Sequence, residues 1–88
     1  MIIKARKRFI TQLHKIKNLD LLNEVEFVVD YAAKSNVPEN IPGFKWLTGY
    51  NSVGRIRVEK YRIGIRIDGQ TLILICLMHK EEFYSNFP

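Results

Sequence analysis

Arg55-Ile56-Arg57-Val58-Glu59-Lys60-Tyr61-Arg62-Ile63-Gly64-Ile65-Arg66-Ile67-Asp68 exchanges cationic and aliphatic side chains at almost every step. In an extended chain successive side chains point to opposite faces. One face then carries Ile56, Val58, Tyr61, Ile63, Ile65 and Ile67 toward a core, and the other carries Arg55, Arg57, Arg62 and Arg66. Alternating charge is what any strand with one wet face shows. Lysine and glutamate would keep such a face soluble equally well, yet this one has four arginines and no acid, which favours an anion.

Downstream, Asp68-Gly69 is a two-residue hairpin signal, and Leu72-Ile73-Leu74-Ile75-Cys76-Leu77-Met78 continues as an apolar strand. The pattern predicts strands over 53–58, 61–67 and 70–78. Glu59-Lys60 joins the first two, although neither residue favours positive φ. With two-residue loops at both turns, Arg57 lies opposite Arg62 and Arg55 opposite Gly64, while Ile63 faces Leu74, Arg62 faces Ile75 and Gly64 faces Ile73. Two arginines in direct opposition repel unless an anion sits between them. The same register puts His79 on the arginine face and leaves open space over Gly64, a shallow cationic trough with an imidazole at one end.

Upstream, Pro38 and Pro42-Gly43 mark an irregular crossing into Phe44-Lys45-Trp46-Leu47, and Gly49-Tyr50-Asn51 marks a turn. Leu21, Leu22, Val25, Val28, Val29, Ala32 and Ala33 predict a helix capped by Asn18 or Asp20 and fading before Val37-Pro38. A shorter amphipathic helix starts at Phe9, with Leu13 and Ile16 on the same stripe, and pairs with the longer one as an antiparallel hairpin. Met1 to Ala5 is a candidate first strand.

Eighty-eight residues suit one domain over 1–88, and 47% hydrophobic with 26% charged residues excludes a disordered tail. The net charge of +5 points to acidic partners such as nucleic acid, an anionic membrane surface or an acidic protein. Residues 1–18 hold Lys4, Arg6, Lys7, Arg8, Lys15 and Lys17 without an acid. One cysteine, Cys76, excludes an internal disulfide and a cysteine zinc cluster, and reads as a small buried side chain. The apolar run is far shorter than the roughly 20 residues a bilayer needs. No secretory leader pattern is present, so the cytoplasm is expected and no membrane partner is.

The order of motifs resembles a known family. Ile41-Pro42-Gly43-Phe44-Lys45-Trp46-Leu47-Thr48-Gly49-Tyr50, Arg55-Ile56-Arg57-Val58, Tyr61-Arg62-Ile63-Gly64 and Leu77-Met78-His79-Lys80-Glu81-Glu82-Phe83-Tyr84, ending in Phe87-Pro88, look like the RelE/ParE toxins of type II toxin–antitoxin pairs, in their RelE branch. The similarity covers nearly the whole chain. It implies an α+β fold similar to microbial ribonucleases: an N-terminal strand, a helical hairpin on a curved antiparallel sheet of about four strands, and a short C-terminal helical segment. It also implies an endoribonuclease that cuts mRNA in the ribosomal A site without a cofactor or metal. The implied partners are the ribosome, mRNA and a small acidic antitoxin, the last in a toxin–antitoxin hetero-oligomer.

By the same resemblance, Arg55 and Arg57 match phosphate-contacting positions, as basic residues such as Lys45 and Arg66 would extend. Arg62 matches the arginine that stabilises the scissile phosphate, His79 and Lys80 fall where a histidine or basic residue serves the leaving group, and Tyr84 matches a tyrosine that stacks on or orients the nucleotide. Attack by a 2′-hydroxyl needs that hydroxyl deprotonated, the phosphorane stabilised and the 5′-oxygen protonated. Arg62 with Arg57 answers the second need, and an imidazole such as His79 answers the third. The arginine face offers no base; Glu81 and Glu82 are near in sequence but unplaced. The sequence departs from close relatives at Ser52-Val53-Gly54, where they carry aromatics, and at Glu59-Lys60, where they carry a glycine turn. Two other functions stay open on the residues alone: a ParE-like inhibitor of DNA gyrase, and an RNA-binding module without catalysis.

Overall fold

The alternating stretch folds as a β-hairpin at the centre of a five-stranded sheet. The computed structural model describes residues 1–88, in the order β1 (Ile2–Ala5), α1 (Lys7–His14), α2 (Leu19–Lys34), a 3₁₀ turn (Pro38–Asn40), β2 (Phe44–Trp46), β3 (Val53–Val58), β4 (Tyr61–Asp68), β5 (Thr71–His79) and α3 (Lys80–Asn86). Strand order is β1-β5-β4-β3-β2. β2 to β5 are antiparallel and β1 adds to the edge parallel to β5, which makes five strands where about four, all antiparallel, were expected. The Phe44 segment, expected only as an approach to the sheet, is its other edge.

The hairpin β3–β4 has the expected register: Arg57 is opposite Arg62 and Arg55 opposite Gly64. Glu59 adopts φ +55° to close the turn, a left-handed position that non-glycine residues occupy at a cost. The β4–β5 register is a correction. The turn is Gly69-Gln70, with Gly69 at φ +60°, so Asp68 pairs with Thr71 rather than Ile67 with Gln70. A bulge then leaves Ile75 unpaired between Ile65↔Leu74 and Gly64↔Cys76, and the remaining pairs are Ile63↔Leu77, Arg62↔Met78 and Tyr61↔His79. Each residue beyond the bulge therefore faces the side opposite to the one expected from strict alternation.

Asn18 caps α2, its side-chain oxygen accepting from the Leu21 amide at 3.2 Å. Leu21, Val25, Val28 and Ala32 form the buried stripe. α2 packs on β1 and β3, and α1 packs on β5. Beyond β1 the outer edge of β5 has no strand partner, and α1 fills in: Gln12 Oε1 accepts from the Leu77 amide at 2.8 Å. Under the two helices lies the main core, which includes Phe9, Val25, Ile56, Ile63, Ile65, Leu72 and Leu77.

The other face carries a second, smaller core. α3 folds back over β4 and β5, seating Phe83 and Phe87 on Val53, Cys76 and Met78. Their rings stack at 4.9 Å. Burial pushes the Cys76 thiol up, in keeping with a packing role. No helix is long and apolar enough to cross a membrane.

Candidate nucleic-acid interface

The arginine face is assembled row by row from the sheet register. Arg57 and Arg62 are direct cross-strand partners; one step along, Lys45, Arg55 and Gly64 form the next row. Local hydrogen bonds hold the cations despite their repulsion. Arg62 Nη1 donates to the carbonyls of Glu59 at 3.0 Å and Tyr61 at 2.8 Å, while its Nε is shut off from solvent with no partner. The Gly43 carbonyl accepts from the Arg57 amide at 2.9 Å and from Arg55 Nη1. This approach requires glycine: Gly43 sits at φ +81°, and a Cβ there would lie 2.7 Å from the Arg57 carbonyl oxygen.

α3 adds two side chains. The Lys80 amide donates to the Lys60 carbonyl at 2.8 Å, pinning the start of the helix to the β3–β4 turn. Lys80 lines an open cleft of about 710 Å³ with Gly43, Arg57 and Arg62. One turn on, Tyr84 is 57% exposed, its ring edge-on to Phe83. Partial burial alone would raise its phenol, but hydrogen bonding from Arg62 and the charge of Arg55 outweigh it and hold the phenol below its ordinary value. Arg55, Arg57, Arg62, Lys80 and Tyr84 thus share one solvent-facing patch.

No family model matches the chain. Its sequence is 29% identical over 89 residues to Toxin RelE3 of Methanocaldococcus jannaschii, covering all of both proteins. The crystal structure of the RelB–RelE antitoxin–toxin complex from Methanococcus jannaschii contains a chain that superimposes with a TM-score of 0.82 at 27% identity, over 97% of this chain and 99% of that one. An archaeal RelE–RelB complex from Pyrococcus horikoshii gives a TM-score of 0.75 over 93% and 97% of the two chains, and at 15% identity it shows the fold alone. In both sequence and fold the chain is similar to RelE toxins. Its full-length likeness groups it with the RelE toxins of toxin–antitoxin systems.

Three expectations about this RelE-type face are corrected by the structure. His79 is not on it: beyond the bulge it pairs with Tyr61, and the two rings meet edge-on at 5.7 Å on the α1 side. Its Nδ1 accepts from the Glu81 amide at 3.3 Å, so it caps α3. The space over Gly64 is not open, because a Cβ there would lie 2.7 Å from both the Phe87 ring and Cys76 Sγ. Arg66 shares the face but lies four residues from Arg62, about 13 Å along the strand, and lines a separate depression with Arg6. Lys45 is at the edge, exposed, opposite Arg55.

Two features were missed from the sequence. The carbonyl anchoring of Arg55 belongs to Pro42-Gly43, which reads only as part of an irregular crossing. Glu24 of α2 and Glu59 of the hairpin turn border the same cleft, and nothing in a one-dimensional pattern joins them.

Proposed function

We propose that this RelE-type toxin is a ribosome-dependent endoribonuclease, cleaving mRNA by attack of a 2′-hydroxyl on the adjacent phosphate. The observation that carries the reading is the direct opposition of Arg57 and Arg62 on an open face, with Lys80 and Tyr84 brought beside them by α3. Such a pair is costly without an anion and suited to the dianionic phosphorane.

In this reading Arg62 and Arg57 stabilise the phosphorane. Lys80, which lines the cleft beside them, serves the leaving 5′-oxygen, and Tyr84 orients the nucleotide. Arg55 and Lys45 contact flanking phosphates, and Arg66 a more distant one. His79 acts indirectly by holding the first turn of α3, and so Lys80 and Tyr84, in place. With no strong acid–base pair on the face, rate enhancement rests on charge stabilisation and on orientation of the substrate by the ribosome.

The similar Methanococcus jannaschii and Pyrococcus horikoshii proteins were solved as complexes with RelB antitoxins. A small acidic antitoxin is accordingly the expected inhibitor of this chain, covering the cationic patch within a hetero-oligomer. The cytoplasm, where mRNA is translated, is the expected place of action.

The test is to add the purified protein to translating ribosomes and map mRNA 5′ ends. New ends within A-site codons support the reading. Intact transcripts beside an active control, with accumulation of cleaved DNA–gyrase complexes, would instead support a ParE-like action.

A further inference from the structure

The cleft that begins at Arg57, Arg62 and Lys80 does not end there. It also takes in Glu24 and Phe27 of α2 and Glu59 of the β3–β4 turn. Its lining is mixed in chemistry: three cations, an exposed aromatic ring and two carboxyls. Phe27 is 61% exposed, with its ring tilted against Tyr31 at 6.1 Å. The side chains of Glu24 and Glu59 line this same part of the cleft. Glu59 is carried on a left-handed residue of the turn, a conformation that glycine would adopt more easily.

A nucleotide has the same mixture. Its phosphate is an anion, its base has an apolar face that stacks on aromatic rings, and its edge presents hydrogen-bond donors and acceptors. We propose that the α2 part of the cleft is a nucleobase subsite, in which Phe27 packs on the base and Glu24 and Glu59 accept from an exocyclic amino group. The proposal rests on the RNA-cleaving reading and adds to it a choice among bases. Adenine, cytosine and guanine carry such an amino group. Uracil has no exocyclic amino group; its one N3–H is flanked by two carbonyl oxygens that meet the carboxyls unfavourably, so it is the weakest of the four ligands.

The subsite is tested by NMR titration of the full chain with AMP, CMP, GMP and UMP, with inorganic phosphate as the baseline. The first three are expected to bind about tenfold more tightly than UMP and to shift the Phe27 ring signals. The double variant Glu24→Gln, Glu59→Gln should bring UMP level with the others, and Phe27→Ala should weaken all four. Equal affinities in the wild type, shifts that bypass Phe27, or an order of preference that survives in the double variant would each overturn the proposal. If the preference is present but mRNA on ribosomes stays intact, the subsite stands and the nuclease reading fails.

Discussion

On the side of the sheet under α1 and α2, 13 buried residues form one cluster; on the arginine side, five do so beneath α3. β3, β4 and β5 supply the first, and β3 and β5 the second together with Phe83 and Phe87. On the first side their aliphatic residues meet two helices and are sealed from water, which is where a domain of this size gains most of its stability. On the second, cations occupy the alternate positions and only the part under α3 is closed. The thin side can therefore hold an open charged patch because the thick side already holds the fold.

The strongest probe of the thick side is Ile63→Ala. Ile63 is fully buried, and its truncation should cost about 2–5 kcal/mol, a large share of the roughly 5–15 kcal/mol available to a small domain. Urea unfolding measures it. A cost near that of a surface change would mean that stability is not concentrated under the helices.

Arg62→Ala probes the thin side. Loss of one preorganised charge-stabilising donor typically lowers a rate by about 10²–10³-fold. Cleavage on ribosomes should fall by that order, while the melting transition moves only by the loss of two hydrogen bonds to carbonyls, about 0.5–1.5 kcal/mol each in net terms. A variant that melts far below the wild type yet still cuts would reverse the assignment of the two sides.

Gly64→Ala separates α3 from the rest. A methyl at Gly64 would press on the Phe87 ring and Cys76 Sγ. Overpacking of this kind costs about 1–3 kcal/mol, and the loss should appear first in α3. Hydrogen exchange should show faster exchange of α3 amides with those of β4 and β5 little changed. Uniform acceleration would show that the small cluster and the main core unfold as one.

The two sides also differed in how far they could be read from sequence. The β3–β4 pairing was legible because arginines and aliphatics alternate, so a one-residue slip would bury charge. β5 was not, since Leu72 to Met78 contains no polar residue, and an unbroken apolar run is indifferent to which side each residue faces. The bulge at Ile75 was invisible for that reason, and the wrong side for His79 followed from it. The cationic members of the patch, from Arg55 to Lys80, could be named from their pattern and from the family resemblance. The return of α3 over Gly64 depends on Phe87 reaching the Cys76 region, a tertiary contact with no local signature.

Smaller effects come from the titrating groups at the edges of the patch. Near-UV titration should find the Tyr84 phenol ionising below the usual tyrosine range, and Arg62→Ala should return it upward. Glu24 shifts the other way. Hydrogen bonding to Glu59, then removal from water, then the charges of Glu59 and Asp20 raise its carboxyl above the ordinary value. A carboxyl raised in the folded state stabilises the fold below its unfolded pKa, and that contribution is lost as pH rises through the folded value. At neutral pH the ionised pair is therefore a cost, and Glu24→Gln should melt above the wild type. The gain should narrow as pH falls through the raised pKa, where the protonated wild-type carboxyl can donate to Glu59 much as the amide does. A thermal-melt series against pH measures it, and a gain that stays constant from neutral to acid would mean that the two carboxyls do not interact. A stabilising substitution at this point would fit the proposed base subsite, where stability is given up to keep two like charges together for a ligand.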